Sequence, residues 1–366
     1  MSLHHAPQPP MACRFRRPVY WRALNTGLTA AALLMLGLPE ADAQPLEKTT
    51  CFGRPATITG SGTINGTPGP DVIVGSPGDD VIDGLGGNDL ICGLNGNDDI
   101  RGGLGNDKID AGAGDDVVGG DVATFDAPAR GGGNDLLLLG PGDDRASGDS
   151  VAVGGDASGG GDDWIDGGPG DDGIAGDSTA FTSVDGASGG HAQGAGDDVI
   201  LGGQGVGDNL RGDSNAILGA SGSGGDDILD LGSDGGLFAI GDHNTATAGA
   251  TATGAGNDRI TGGSAAELLI GDSAADNVTK AGKDVIRGRG GNDQLFGDNT
   301  NVDGTATVGT AGGRDRLFGG EGDDTLRAGP ANDLLDGGPQ TDFCDGEAGN
   351  HNVAVRCETV ENAVGR

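Results

Sequence analysis

Between Asp71 and Asp116 an aspartate recurs at every ninth residue: Asp71, Asp80, Asp89, Asp98, Asp107 and Asp116. Carboxylates repeated at a fixed interval are the hard oxygen donors that Ca²⁺ takes. They suit acid–base catalysis poorly, because that chemistry needs carboxyl groups in unlike environments and a periodic array makes the environments alike. Acids in the same local context continue at Asp135, Asp144, Asp163, Asp172, Asp198, Asp208, Asp227, Asp258, Asp284, Asp293, Asp315, Asp324, Asp333 and Asp342. A separate Gly-Asp dipeptide ends in Asp121, Asp149, Asp177, Asp213, Asp242, Asp272 and Asp298, at spacings of 28, 28, 36, 29, 30 and 26. These Gly-Asp acids fall outside the nine-residue pattern and are expected to matter less for a cation.

Other chemistry is absent or incidental. The chain contains no HExxH zinc motif and no EF-hand loop. Gly186-Ala187-Ser188-Gly189-Gly190 satisfies GxSxG, but it lacks the strand–elbow–helix setting which that motif requires. His191 beside it reads as a loop residue. His243 stands after a Gly-Asp where Ser or Asn stands elsewhere; imidazole suits calcium poorly, so it reads as exposed. Trp164, one residue after Asp163, should face outward and cover a loop.

The elements that position the acids follow from aligning the chain in nines from Gly66: GTPGPDVIV, GSPGDDVID, GLGGNDLIC, GLNGNDDIR, GGLGNDKID and AGAGDDVVG, without a gap to Gly119. Position 4 is always Gly and position 6 always Asp, while position 8 is Ile73, Ile82, Ile91, Ile100, Ile109 or Val118. Glycine makes the positive-φ backbone of a tight turn accessible. The apolar position 8 marks a short strand whose side chain points inward. Stacked coils at the ~4.8 Å strand spacing would set the position-6 carboxylates in columns, where they repel one another unless a dication lies between them.

The units resemble GGxGxDxUx, the calcium-binding nonapeptide of the RTX (hemolysin-type) family. The resemblance runs from Gly66 almost to the C-terminus. It implies an all-β fold, a parallel β-roll or β-solenoid in which two nonapeptides make one coil. It also implies Ca²⁺ held between stacked turns, and folding on calcium binding. The metal-holding residues it implies are Asp71, Asp80, Asp89, Asp98, Asp107, Asp116, Asp135, Asp144, Asp163, Asp172, Asp198, Asp227, Asp258, Asp284, Asp293, Asp315, Asp324, Asp333 and Asp342. Four units depart from the pattern and are expected to be weaker: Glu267 stands at position 6 of one, the Asp208 unit has a residue extra, and Gly236 and His351 stand where Asp belongs. The last unit, with Cys357-Glu358, resembles the capping unit of secreted bacterial calcium-binding repeat proteins. The Ala/Thr/Ser/Gly segments after each Gly-Asp, such as NTATAGATATGAG from Asn244, alternate weakly. They are expected to form short edge strands or hairpins, or degenerate coils within the solenoid.

Composition agrees. Of 366 residues 79 are Gly, aromatics make up 3%, and the net charge is -35. A chain this acidic offers no surface for nucleic acid or an anionic membrane. Its glycines do not fall at every third residue, which excludes collagen.

The N-terminus has the layout of a secretory signal peptide. Basic Arg14, Arg16, Arg17 and Arg22 precede an apolar run from Leu28 to Leu38, and Ala41-Asp42-Ala43 follows as a cleavage site. No later run is apolar enough to span a membrane. Cleavage would leave Cys51, Cys92, Cys344 and Cys357 in an oxidising compartment. Of the possible pairings, Cys51 with Cys92 and Cys344 with Cys357 joins near neighbours. Zinc is the competing reading, but no CxxC or clustered His accompanies them.

The chain is thus read as a signal peptide (1–43), an N-terminal cap segment (44–65), uninterrupted repeats (66–119), interrupted repeats (120–345) and a C-terminal cap (346–366). The expected function is a secreted, non-enzymatic calcium-binding protein of bacterial type, released or associated with the cell surface, with an unassigned surface or carbohydrate partner. The alternatives are an adhesin or ice-type binder using Thr245/Thr247, Thr251/Thr253 and Thr305/Thr307, and an accessory module of an RTX hydrolase or toxin. The second is disfavoured because the repeats begin so soon after the cleavage site.

Overall fold

The computed structural model describes residues 49–182, 190–349 and 351–365. The expected signal peptide (1–43) and Gly186–Gly189 of the GxSxG motif lie outside the described residues. Among the described residues there is no helix, and so none long and apolar enough to cross a membrane.

Two long parallel sheets face each other. One has 14 strands, from Ile58–Thr59 to Val364–Gly365; the other has 13, from Thr63–Asn65 to Thr359–Glu361. Successive strands of the chain alternate between the two sheets, so each coil is a turn, a strand, a turn and a strand. Pairing is in register: Ile73 lies beside Ile91, and Ile91 beside Ile109. The alternation that puts position 8 inside therefore stacks like on like. Ile73, Ile82, Ile91, Ile100 and Ile109 are fully buried and belong to one continuous core with Leu137, Ile165, Ile200 and Leu335. Each such side chain contributes roughly 1.5–3 kcal/mol by leaving water. Trp164, at position 7, is exposed as expected, while Val74 and Cys92, at position 9, are buried with Cys51 in a small cluster of their own.

From Gly119 the coils widen. The segments after each Gly-Asp form two further sheets, both parallel. Ala123–Phe125, Val151–Val153, Thr179–Phe181, Asn215–Ala216 and Asn244–Thr245 stack in one. Ala129–Arg130, Ala157–Ser158, His191–Gln193, Gly219–Ser221, Thr251–Thr253 and Asn277–Val278 stack in the other. This corrects the hairpin expectation. The inserted strands pair with the same segment one coil away rather than with each other, as Ala129 does with Ala157. Between these sheets lies a second core of alanine alone: Ala129, Ala152, Ala157, Ala180, Ala192, Ala216 and Ala220. The narrow format returns near the end, where Leu317 pairs with Leu335 and Leu335 with Ala354.

The ends are tied by disulfides. Cys51–Cys92 joins the short antiparallel pair Thr50–Cys51 and Arg54–Pro55 to the first coils, and Cys344–Cys357 closes the last. A solenoid exposes its core at either end unless such caps cover it.

Candidate metal sites

The turns between strands bring the position-6 acids into two columns, one beside each long sheet. Within a column each acid is tied to the next by the same bond. The backbone N–H of Asp71 donates to Asp89 Oδ1 at 2.8 Å, Asp89 N–H to Asp107 Oδ1 at 2.7 Å, and Asp107 N–H to Asp135 Oδ1 at 2.7 Å. The column continues through Asp163, Asp198, Asp227, Asp258, Asp284 and Asp315 to Asp333. In the second column Asp80, Asp98, Asp116, Asp144, Asp172 and Asp208 are linked alike, as are Asp293, Asp324 and Asp342 further on.

From Asp89 onward one oxygen per aspartate is thus used, and the other is not. Oδ2 of Asp89, Asp98, Asp107, Asp116, Asp135, Asp144 and their successors is buried with no hydrogen-bond partner. It faces backbone carbonyl: Asp89 Oδ2 and the Gly102 carbonyl converge on the same side of Gly84, where a Cβ would stand 2.5 Å from the carboxylate oxygen. A buried ionised carboxylate without a partner costs several kcal/mol. The residues are therefore the donor set a hard dication requires, carboxylate and carbonyl oxygen without nitrogen or sulfur.

The electrostatics show the same strain. Burial, chiefly, pushes Asp89 up to about 6, Asp116 to about 7 and Asp135 to about 8, with the preceding acid's N–H opposing and neighbouring carboxylates adding to the rise. Asp198, Asp227 and Asp258 are raised well above the ordinary range for the same first reason.

Not all the sequence-predicted acids are equivalent. Asp71 and Asp80 stand in the columns, but their outer oxygens are already occupied. Thr67 donates to Asp71 Oδ2 from N–H at 2.7 Å and from Oγ1 at 2.8 Å, and Ser76 N–H donates to Asp80 Oδ2 at 2.6 Å. These first two turns carry Pro68 and Pro77 and have no residue at positive φ, whereas Leu85 and Gly87 of the third stand at 71° and 124°.

Of the four departing units, two keep their place. Asp208 remains in register, because Asp171 Oδ1 absorbs the extra residue by accepting Val206 N–H at 3.2 Å and Gly207 N–H at 3.0 Å. Glu267 donates its N–H to Asp293 Oδ1 at 3.0 Å and accepts Gly263 N–H at 2.7 Å, with Oε2 left unpartnered. Gly236 leaves a gap in the second column. At the C-terminal unit the aligned residue is Asn352 rather than His351: Asp333 N–H donates to Asn352 Oδ1 at 2.9 Å. The second column ends on Glu358, which accepts Asp342 N–H at 2.8 Å.

The Gly-Asp acids are buried as well, and Asp121 and Asp149 lie beside Asp135 of the first column. Asp242, Asp272 and Asp298 accept the N–H of Gly256, Gly282 and Gly313 at 2.8, 2.6 and 2.7 Å. His243 is fully buried, not exposed. Its Nδ1 lies 3.7 Å from Asp213 Oδ2 and accepts Ser214 N–H at 3.4 Å. Burial holds its pKa below the usual imidazole range, against the pull of Asp213. The 26- to 36-residue spacing of the Gly-Asp motif was the signal for this inner row.

The family model for the RTX calcium-binding nonapeptide repeat matches the chain at residues 58–91, 92–122, 157–179, 252–278, 278–301 and 310–344. No curated protein and no solved structure matches it significantly.

Proposed function

We propose that this chain, which carries RTX calcium-binding nonapeptide repeats, is a secreted, non-enzymatic β-solenoid whose folding is coupled to Ca²⁺. The observation that supports this is the row of buried Oδ2 atoms without donors. Each is a place where the folded chain is costly alone and favoured with a dication bound. In this reading the turn acids from Asp89 to Asp342 hold calcium with glycine carbonyls, while Asp71 and Asp80 serve the N-terminal cap.

Coupling to folding follows from charge and composition. A chain of net charge -35 with few large apolar residues gains little from burial, against about 1–2 kcal/mol of backbone entropy per ordered residue. Binding to the folded form alone stabilises it in proportion to the logarithm of ligand concentration. Extracellular calcium modules work at about 10⁻⁴–10⁻³ M, so the chain would stay open in a calcium-poor cytosol and fold after export by way of residues 1–43. The equivalence of the turn acids supports binding rather than catalysis.

Circular dichroism with size-exclusion chromatography tests this, in chelator and in millimolar calcium. The expected result is an expanded chain in chelator that becomes compact and β-rich in calcium, with magnesium a poor substitute. A compact β-rich chain in chelator, unchanged by calcium, refutes the coupling.

A further inference from the structure

The Gly-Asp acids make a row distinct from the turn columns, and its first members meet a turn acid. One carboxylate oxygen from each of Asp121, Asp135 and Asp149 lies within 4.8 Å of the other two. All three residues are buried. Neither oxygen of Asp121 has a hydrogen-bond partner; Asp149 gives Oδ1 to Gly133 N–H at 3.2 Å and leaves Oδ2 without one. Asp135 is also left with a free Oδ2, its Oδ1 being used in the ladder. Three buried carboxylates facing one another with no donor between them repel strongly in a medium of low dielectric.

Among the described residues this three-carboxylate cluster occurs once, but its unpartnered oxygens have counterparts along the row: Asp177 and Asp213 are buried with neither oxygen hydrogen-bonded, and Asp242 and Asp298 each leave Oδ2 free. A neutral donor group is left in the same condition: Ser214 Oγ, adjacent in sequence to Asp213, is buried and unpartnered. A chance cluster of surface acids would find water. These are enclosed, and free atoms recur along the row except at Asp272, whose oxygens accept from Gly282 N–H and Asn299 Nδ2.

We propose that the Gly-Asp acids form a second file of Ca²⁺ sites inside the widened coils, each built from two successive Gly-Asp carboxylates and the turn acid between them. Asp121, Asp135 and Asp149 make the first. The donors are oxygen throughout, which selects a hard dication over a transition metal. The file is absent from the narrow coils, and it shares its turn acids, Asp135 first, with the turn sites.

The test is the number of calcium ions bound per chain, measured by equilibrium dialysis and elemental analysis on the full chain. Asp149→Asn is compared with Asp144→Asn, whose carboxylate belongs to the other column. The proposal expects Asp149→Asn to lose at least one ion while keeping the parent's circular dichroism in calcium, and the double variant to lose the sum. A folded Asp149→Asn with the parent's ion count overturns it, since the amide would then merely share hydrogen bonds with Asp121. Should the variant fail to fold, anomalous scattering from parent crystals grown in calcium decides. A peak among Asp121, Asp135 and Asp149 supports the file; peaks at the turns with none there refute it. No peak at either place removes the turn-site reading as well.

Discussion

Asp116 N–H donates to Asp144 Oδ1 at 2.7 Å, the same bond at the same length that Asp98 N–H makes to Asp116 Oδ1, although 28 residues separate the first pair and 18 the second. The ladder is thus indifferent to how much chain a coil contains. What it requires is a side-chain oxygen at the corner, which Asn352 also supplies, and a glycine that lets the turn close.

The acids of the uninterrupted tract should separate by what occupies their outer oxygen. Asp98 Oδ2 is free, whereas Asp80 Oδ2 accepts Ser76 N–H. Asp98→Asn should raise the calcium midpoint of folding by roughly tenfold, about 1.4 kcal/mol, and Asp80→Asn should move it much less. Calcium titration followed by circular dichroism checks this; equal midpoints would contradict the distinction.

Glycines divide in the same manner. A Cβ on Gly84 would stand 2.5 Å from Asp89 Oδ2, while one on Gly69 meets nothing within 4 Å. Gly84→Ala should therefore abolish or sharply weaken folding in calcium. Gly69→Ala should be neutral or stabilise by about 0.4–1 kcal/mol through the unfolded chain. Denaturant unfolding in saturating calcium measures both.

Acid should partly replace calcium. In the folded chain Asp89, Asp107 and Asp116 are pushed up from 3.8 to about 6, 7 and 7. The folded form therefore holds protons that the unfolded form releases. Their contribution is fully present below the unfolded value, near pH 4, and is lost as pH rises through 6 to 7. In chelator, the β-sheet signal should be stronger at pH 5 than at pH 8. A signal independent of pH, or one that grows with pH, would be inconsistent with these shifts.

Reduction should act mainly through the longer loop. Cys51–Cys92 closes a separation of 41 residues and Cys344–Cys357 one of 13. On loop entropy alone they contribute about 4 and about 3 kcal/mol. A Cys51→Ser/Cys92→Ser chain should unfold at lower denaturant than the parent in saturating calcium, and by more than the corresponding change at the C-terminal pair.

The columns and the core could be read from the sequence because both are periodic in it. Asp89 and Ile91 recur one coil on as Asp107 and Ile109, and each repeat confirms the last. The inserted faces could not be read in full, since weak alternation in a stretch such as Ala123–Phe125 marks a strand without naming its partner. That partner is Val151–Val153, supplied by the next coil. His243 was misread for a related reason. Its ring accepts Ser214 N–H while its backbone N–H donates to Ser273 Oγ, a rung of an inner ladder that the nine-residue pattern does not contain. Asn352 was missed by one position, because the final coil runs 19 residues from Asp333 instead of 18.

The alanine-only second core gives length and girth separate controls in these coils. A coil advances by one strand spacing, ~4.8 Å, whether it holds 18 residues or 28. Residues added after a Gly-Asp widen the cross-section and its exposed perimeter and leave the pitch alone. Methyl-sized side chains such as Ala157 and Ala180 let the added walls close on each other without large apolar residues. A lineage of such chains can therefore enlarge or shed lateral surface coil by coil while the ion-bearing axis keeps a constant step.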